Sequence, residues 1–421
     1  MNITFLDGVL FVTYFCLLFL SIFWLLVLFF TDEKKENKKL DSYPFFSAIV
    51  PAYNEEESIG ATLNSLINLD YPKDKREIVV VNDGSKDNTQ AIVEKFITEH
   101  PDYNIALLNQ NNKGKGSAMN KGLAIVKGKY FACLDADSFV ASNALQVMLP
   151  ELETDDEVAA ICPVLKVQKP KSILQKVQWC EYIINMYYKY LNARLHCIHV
   201  TPGPFSVYRT EVIQKLGGFN EKTITEDLEI AIRLQKNQYK ILQSFDTIVE
   251  TVAPNSWKAL FRQRVRWYKG SVDNTIVYRE LLFNKKYGDF GMVRMPTIIF
   301  SGIIAIVLGL TVGHSLIRGI VRLFQALRDV HFDVFTLIKH ASIDINWLGL
   351  PFFKLVIAGT LLCISFFVMI KSFQLVQEKI TNYGKTWISL VTYLLIYSLF
   401  LTSVWVYIAY MLIRRKKNFW F

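Results

Sequence analysis

The stretch Lys129-Tyr130-Phe131-Ala132-Cys133-Leu134-Asp135-Ala136-Asp137-Ser138 ends an apolar run in two carboxylates one residue apart. Gly128 bounds the run, and its aromatic and small residues predict a buried strand that stops at the acids. In an open α/β sheet, ligands bind outside the carboxyl ends of strands, so Asp135 and Asp137 fall where a substrate should sit. Two hard oxygen ligands there suit a divalent cation that is also held by substrate phosphates. On its own, an Asp-x-Asp of this kind reads as a solvated strand-to-loop corner, so its meaning depends on its neighbours.

Outward from that strand, residues 45–168 alternate short apolar runs with helical stretches. The runs are 46–50, 77–81, 105–108 and 130–134, and helices are expected to start near Glu56, Asn88 and Lys115. This alternation predicts an α/β domain with a mostly parallel sheet and covering helices. The first two strands end in Pro51-Ala52-Tyr53-Asn54-Glu55-Glu56 and Val81-Asn82-Asp83-Gly84-Ser85. An aromatic ring beside an acid, as at Tyr53 and Glu55, can hold a base; alone it reads as a polar loop with a helix cap. Asp83-Gly84 is also a common turn pair. In Asn112-Lys113-Gly114-Lys115-Gly116-Ser117-Ala118-Met119-Asn120, glycines before a helix let backbone approach phosphate and lysines supply charge. The P-loop spacing is missing, so the stretch is no sign of an NTPase.

At 421 residues the chain has room for two or three domains. A hydrophobic share of 52% with a positive mean hydropathy exceeds that of a wholly soluble protein and predicts membrane spans. Residues 8–30 carry no charge and can cross a bilayer. Lys34, Lys35, Lys38 and Lys39 put their flank in the cytoplasm and the N-terminus outside. A signal peptide would show a basic start and a small-residue cleavage site, and neither is seen. Residues 295–317 and 386–413 are further long runs, and 355–370 spans if Lys354 reaches to the interface. Residues 320–338 are amphipathic and read as interfacial. Four crossings would leave Arg414, Arg415, Lys416 and Lys417 outside, against the positive-inside tendency. The middle region then hides another crossing or hairpin, or the rule fails here. Residues 170–191 repeat apolar and aromatic side chains at helical spacing, as in a membrane-surface helix or a core-facing one.

The net charge of +9, with no basic arm and no nucleic-acid motif, points to lipid headgroups and phosphates rather than nucleic acid. Cys16, Cys133, Cys162, Cys180, Cys197 and Cys363 show no metal or disulfide spacing and fit a reducing compartment. His196, His199 and His314 form no ligand set and are read as structural.

Two later stretches add to the polar set. Thr225-Glu226-Asp227 would by itself be a helix N-terminus. In Gln263-Arg264-Val265-Arg266-Trp267, positions 263, 266 and 267 share one helical face. Trp257, Phe261, Val265 and Tyr268 share the opposite face, which suits a helix resting on a membrane. An indole beside Arg266 on the polar face is not explained by incidental surface charge.

In this order the motifs resemble the membrane-embedded processive glycosyltransferases of family 2, the group of cellulose, chitin, hyaluronan and poly-N-acetylglucosamine synthases. The resemblance covers residues 45–270 and, less specifically, the flanking spans. It looks closest to the poly-N-acetylglucosamine synthase type. It implies an N-terminal transmembrane helix and basic flank (1–40), a cytoplasmic GT-A-like nucleotide-sugar-binding domain with interfacial helices (41–270), and a C-terminal transmembrane region (271–421) at the cell membrane. It also implies an inverting hexosyltransferase that takes a UDP-sugar such as UDP-GlcNAc, needs a divalent cation (Mg2+ or Mn2+), and extends a β-linked polysaccharide or glycolipid acceptor.

Carried over by position, Tyr53, Glu55 and Asp83 would hold uridine, with Lys115 nearby. Asp135 and Asp137 would serve the metal-diphosphate, Asp137 as the main ligand. Asp227 would be the general base, Gln263 and Arg266 would engage the diphosphate, and Trp267, with Glu226 and Gly203, would face the acceptor. Two departures stand out. Thr201-Pro202-Gly203-Pro204-Phe205 has Pro202 where many relatives carry Ser, and no gating-loop motif follows Trp267. The competing readings are a single-addition transferase acting on a lipid or polyprenyl phosphate, and a nucleotide-binding membrane scaffold or transporter. The last has no use for a base at Asp227.

Overall fold

The computed structural model describes residues 5–30, 40–335, 352–384 and 386–414. Strands β1 (Phe46–Ala52), β2 (Arg76–Asn82), β3 (Ile105–Asn109) and β4 (Tyr130–Cys133) form at the apolar runs and pair in parallel in the order β3-β2-β1-β4. β2 is buried at every position and β1 at nearly every one, as expected of central strands covered on both faces. Alternate residues feed two cores. Ala48, Val50, Val80 and Ala132 face one, and Ile49, Val79, Val81 and Phe131 face the other. Each fully buried aliphatic side chain contributes about 1.5–3 kcal/mol.

Helix α1 (Phe5–Phe30) precedes the sheet, and α2 (Ile59–Ile67), α3 (Thr89–Glu99) and α4 (Lys115–Leu123) connect its first strands. Arg76 opens β2, and its guanidinium donates to the carbonyls of Leu66, Ile67 and Leu69 at 3.1, 2.8 and 2.9 Å, which satisfies the last turn of α2. β5 (Ser138–Val140), β6 (Val158–Val167), β7 (Ser206–Arg209) and β8 (Lys240–Thr251) extend the sheet to β3-β2-β1-β4-β7-β6-β8-β5. It is mostly parallel, as the alternation predicts. The departures are β7, antiparallel to β4 and β6, and β5, antiparallel to β8.

The remaining domain helices are α5 (Ala144–Thr154), α6 (Ile173–Arg194), α7 (Thr210–Lys215), α8 (Glu226–Lys236) and α9 (Trp257–Val277). A capping box between Ser172 and Gln175 starts α6. From Val177 to Ile183 every residue of α6 is buried, because the helix is wedged between β6 and the apolar helices that follow. Those are α10 (Met295–Asp329), α11 (Phe352–Leu375), α12 (Thr386–Thr392) and α13 (Ser398–Ile413), with a π-helical turn at Tyr393–Tyr397 joining the last two. Trp179 of α6 meets Phe373 and Tyr383 edge-on at 5.1 and 5.2 Å.

Among the described residues, four segments are long and apolar enough to cross a membrane: Gly8–Phe30, Phe290–Asp329, Leu355–Leu375 and Thr386–Ile413. Two depart from the sequence reading. The expected interfacial segment at 320–338 begins as an unbroken continuation of α10, since Gly319 alone does not stop a helix; its residues 336–338 lie outside the described residues. The third segment runs to Leu375, so it reaches spanning length without help from Lys354, whose side chain lies outside the described residues. Lys34 to Lys39 and Arg415 to Lys417, on which the topology argument turned, also lie outside them. The fourth segment stays against the domain, with Tyr397 on Glu181 of α6 and Val404, Ile408 and Met411 on Val265 of α9.

Candidate active site

The polar stretches meet at the carboxyl ends of β1, β2 and β4. A cleft of about 310 Å³ is lined by Tyr53, Glu55, Asp83, Lys115, Asp135, Asp137 and Arg266, among others. The first two stretches are stitched together. Asn54, in a left-handed conformation (φ 56°), accepts from Lys86 N at 2.8 Å through its side chain, and its own N–H donates to Ser85 Oγ at 3.0 Å. Glu55 N donates to Thr89 Oγ1 at 2.8 Å. The Glu55 carboxyl, which accepts from Ser58 Oγ at 2.8 Å, is pushed above the usual range by burial, with Asp137 adding to the effect.

Asp83 organises the lysine-glycine loop. Its carboxylate accepts from Gln110 Nε2 at 2.8 Å and from the N–H groups of Lys113 and Gly114 at 2.9 Å each. Gly114, at φ 92°, then turns the chain into α4. That start directs Lys115 across the cleft, where its Nζ lies 2.5 Å from Asp135 and 3.3 Å from Glu226. Burial disfavours the ammonium charge, but Asp135, Glu226 and Asp227 outweigh it and hold Lys115 above the usual lysine range. Gly203 leaves room for this contact, since a Cβ there would stand 2.6 Å from Lys115 Nζ and 3.2 Å from both Asp135 oxygens.

Asp137 is pushed upward by burial and by the like charge of Asp135, against the bond that Ser138 Oγ donates at 3.1 Å. Asp227, at the first turn of α8, is pushed up to about 6 by burial and by Glu226, with Lys115 and Arg266 opposing. Its carboxylate accepts from Leu228 N at 2.9 Å. Thr201 fixes that turn by donating from Oγ1 to the Asp227 carbonyl at 2.9 Å. A lone divalent ion would find no ready cage, because no group of three or more His, Cys, Asp or Glu suited to a metal occurs among the described residues. Asp135 and Asp137 nevertheless fit an ion shared with substrate phosphates, since a cation would relieve the repulsion that raises Asp137.

On α9 the two faces lie as the helical wheel predicts, with Trp257, Phe261, Val265 and Tyr268 on the last apolar helix, but the partners on the polar face differ. Arg266 lines the cleft, and Val265 packs on Val404 and Ile408. The guanidinium over the Trp267 ring belongs to Arg264, at 4.1 Å from the centroid, and Tyr182 lies 6.4 Å away on α6. Gln263 and Trp267 do not line the cleft itself. Sequence reasoning missed Arg264, Glu181 and Tyr397, which form a buried cluster behind the motif, as well as Gln110 and Thr201. The only local signal was Arg264 itself, and its partners lie 83 and 133 positions away in the chain.

Residues 47–217 match the family model described as glycosyl transferase family 2. The poly-β-1,6-N-acetyl-D-glucosamine synthase of Staphylococcus epidermidis is 30% identical over 264 residues, covering 60% of this chain and 63% of that protein. The synthase of the same name from Staphylococcus aureus is 29% identical over 301 residues, covering 68% and 70%. The match thus spans somewhat under two thirds of the first relative's length. A mannosyltransferase from Pyrobaculum calidifontis, solved in complex with GDP-Man and Mn2+, superposes with a TM-score of 0.63 at 18% identity over 98% of both chains, which is a likeness of fold. With the GT-A-like sheet and the acids at its strand ends, residues 47–217 carry a family 2 glycosyltransferase domain, and the apolar helices packed against it fit a membrane glycosyltransferase.

Proposed function

We propose that the chain is an inverting glycosyltransferase that moves GlcNAc from UDP-GlcNAc to a growing β-linked polysaccharide at the membrane. The observation that carries this reading is the cleft in which Asp135, Asp137, Lys115 and Arg266 converge, with the raised Asp227 within electrostatic reach of Lys115 and Arg266. The sequence likeness to proteins named poly-β-1,6-N-acetyl-D-glucosamine synthases supports the choice of sugar.

Tyr53 would stack on the base, with Glu55 and Asp83 bonding its edge. Three donors already fix Asp83, so it meets the ligand in a set orientation. A divalent cation on Asp137 and Asp135 would neutralise the charge of the diphosphate as it leaves. Lys115, Arg266 and Gln263 act on the same developing charge. Asp227 takes the proton from the acceptor hydroxyl, and a carboxylate raised to about 6 is matched to that task near neutrality. Trp267 holds the acceptor ring, with Glu226 and Gly203 beside it. The catalytic unit, residues 41–270, faces the cytoplasm, where the nucleotide sugar is found.

The test is incubation of purified protein with a panel of radiolabelled nucleotide sugars, followed by sizing of the product. Incorporation from UDP-GlcNAc into chains of many residues is expected. A product one sugar longer than a lipid acceptor would replace chain extension with single addition, and incorporation only from another donor would overturn the choice of sugar.

A further inference from the structure

Between the cleft and the apolar helices, three distant parts of the chain close a buried polar cluster. Arg264 comes from α9, Glu181 from α6 and Tyr397 from the π-helical turn between α12 and α13. Their exposures are 0%, 4% and 1%. Arg264 Nε donates to Glu181 Oε1 and to Tyr397 Oη at 3.2 Å each, Nη2 donates to Glu181 Oε2, and Tyr397 Oη donates to Glu181 Oε2 at 2.7 Å. The remaining Nη1 turns back to donate to Gln263 Oε1, and the guanidinium plane covers the Trp267 ring.

Fold stability is a poor reason for this arrangement. A buried ion pair seldom stabilises more than apolar residues of the same volume would, because both charges must leave water. A π-helical turn is rare and recurs at functional positions, and here it lies where the Tyr397 phenol meets the carboxylate. The cluster does have a directional effect. Bonding Gln263 through its carbonyl leaves the amide NH2 as the end free to meet a ligand. A fixed cation over one face of the Trp267 indole, with Tyr182 6.4 Å away, holds the ring in a set orientation.

We propose that Arg264, locked by Glu181 and Tyr397, is a positioning residue that orients Trp267 for the acceptor and ties its placement to the last apolar helix. This rests on the reading of Trp267 as the acceptor platform. The arrangement also means that a displacement of the 386–413 segment would be felt at the acceptor before it is felt at the donor cleft, which the cluster does not line.

The test uses full-length protein labelled with 5-fluorotryptophan, whose 19F lines report the indoles. Trp267→Phe identifies the Trp267 line, and Trp24→Phe identifies a remote control. Tyr397→Phe deletes one hydroxyl and keeps the ring, so it preserves the packing. It is expected to move the Trp267 line but not the Trp24 line, and to raise KM for a β-1,6-linked GlcNAc oligosaccharide about 3- to 10-fold with UDP affinity unchanged. Arg264→Lys loses the planar fork and is expected to do more of the same, where it folds. A Trp267 line that stays put in Tyr397→Phe overturns the proposal, as does an equal rise in the donor and acceptor KM values. If the unmodified protein does not use UDP-GlcNAc, the proposed function fails, and the 19F comparison still decides the positioning role.

Discussion

Replacing Lys115 with Met should move the acid limb of the activity profile. Lys115 Nζ stands 3.3 Å from Glu226, with side-chain exposures of 33% and 12%. At an effective dielectric of about 20, charges at that distance interact by about 5 kcal/mol, and partial exposure of the lysine screens this to about 2 kcal/mol. Asp227 feels the same cation less directly, as one of two that oppose its upward shift. A share of about 1.4 kcal/mol corresponds to about one pH unit. The sign follows from the role. A base works only when ionised, so activity falls as pH drops through its pKa, and removing a nearby cation raises that pKa further. In the unaltered protein the limb is expected at about 6, and in Lys115→Met at about 7. The assay is the rate at saturating donor, measured across pH, for both proteins. A limb that stays in place while the rate falls would show that Lys115 acts on the donor alone and would refute this electrostatic account of Asp227.

Other outcomes follow from the same geometry. Asp227→Asn should lower kcat by about 100-fold or more while UDP binding, followed by calorimetry, stays level. Asp137→Asn, or excess EDTA with the unaltered protein, should stop transfer without loss of the folded, membrane-inserted protein in detergent extracts. Gly203→Ala puts a Cβ 2.6 Å from Lys115 Nζ, so the flexible lysine should shift off Asp135. Donor KM should then rise about tenfold at an unchanged melting temperature. Protease added to right-side-out vesicles should leave residues 45–270 intact until the vesicles are ruptured.

The half of the sheet that carries the acids was legible because its strands are continuous apolar runs, each ending in a polar stretch. That pattern places Tyr53, Asp83, Asp135 and Asp137 at neighbouring strand ends, where the structure has one cleft. None of β5 to β8 was anticipated, and β7 and β8 show the cause. β7 has four residues, and β8 mixes exposed and buried positions across a register shift, so neither produces a clean period. The α9 motif misled in one respect, the arginine set beside Trp267, and for a different reason. A helical wheel assumes one wet face and one dry face, and Arg264 belongs to neither because Glu181 and Tyr397 give it a buried partner. The same long-range packing explains α6, whose aromatic load suits a membrane surface and a core equally well, and which is a core helix because β6 lies on one side and α11 on the other.

The most direct measurement of the central claim is the stereochemistry of the first bond made. One carboxylate base and a single displacement at the donor carbon invert the α-linked sugar of UDP-GlcNAc. NMR of the product formed from UDP-GlcNAc and a short GlcNAc oligosaccharide should therefore show a new β linkage, absent when Asp227→Asn replaces the unaltered protein. An α linkage, or a β product that persists in Asp227→Asn, would contradict the account.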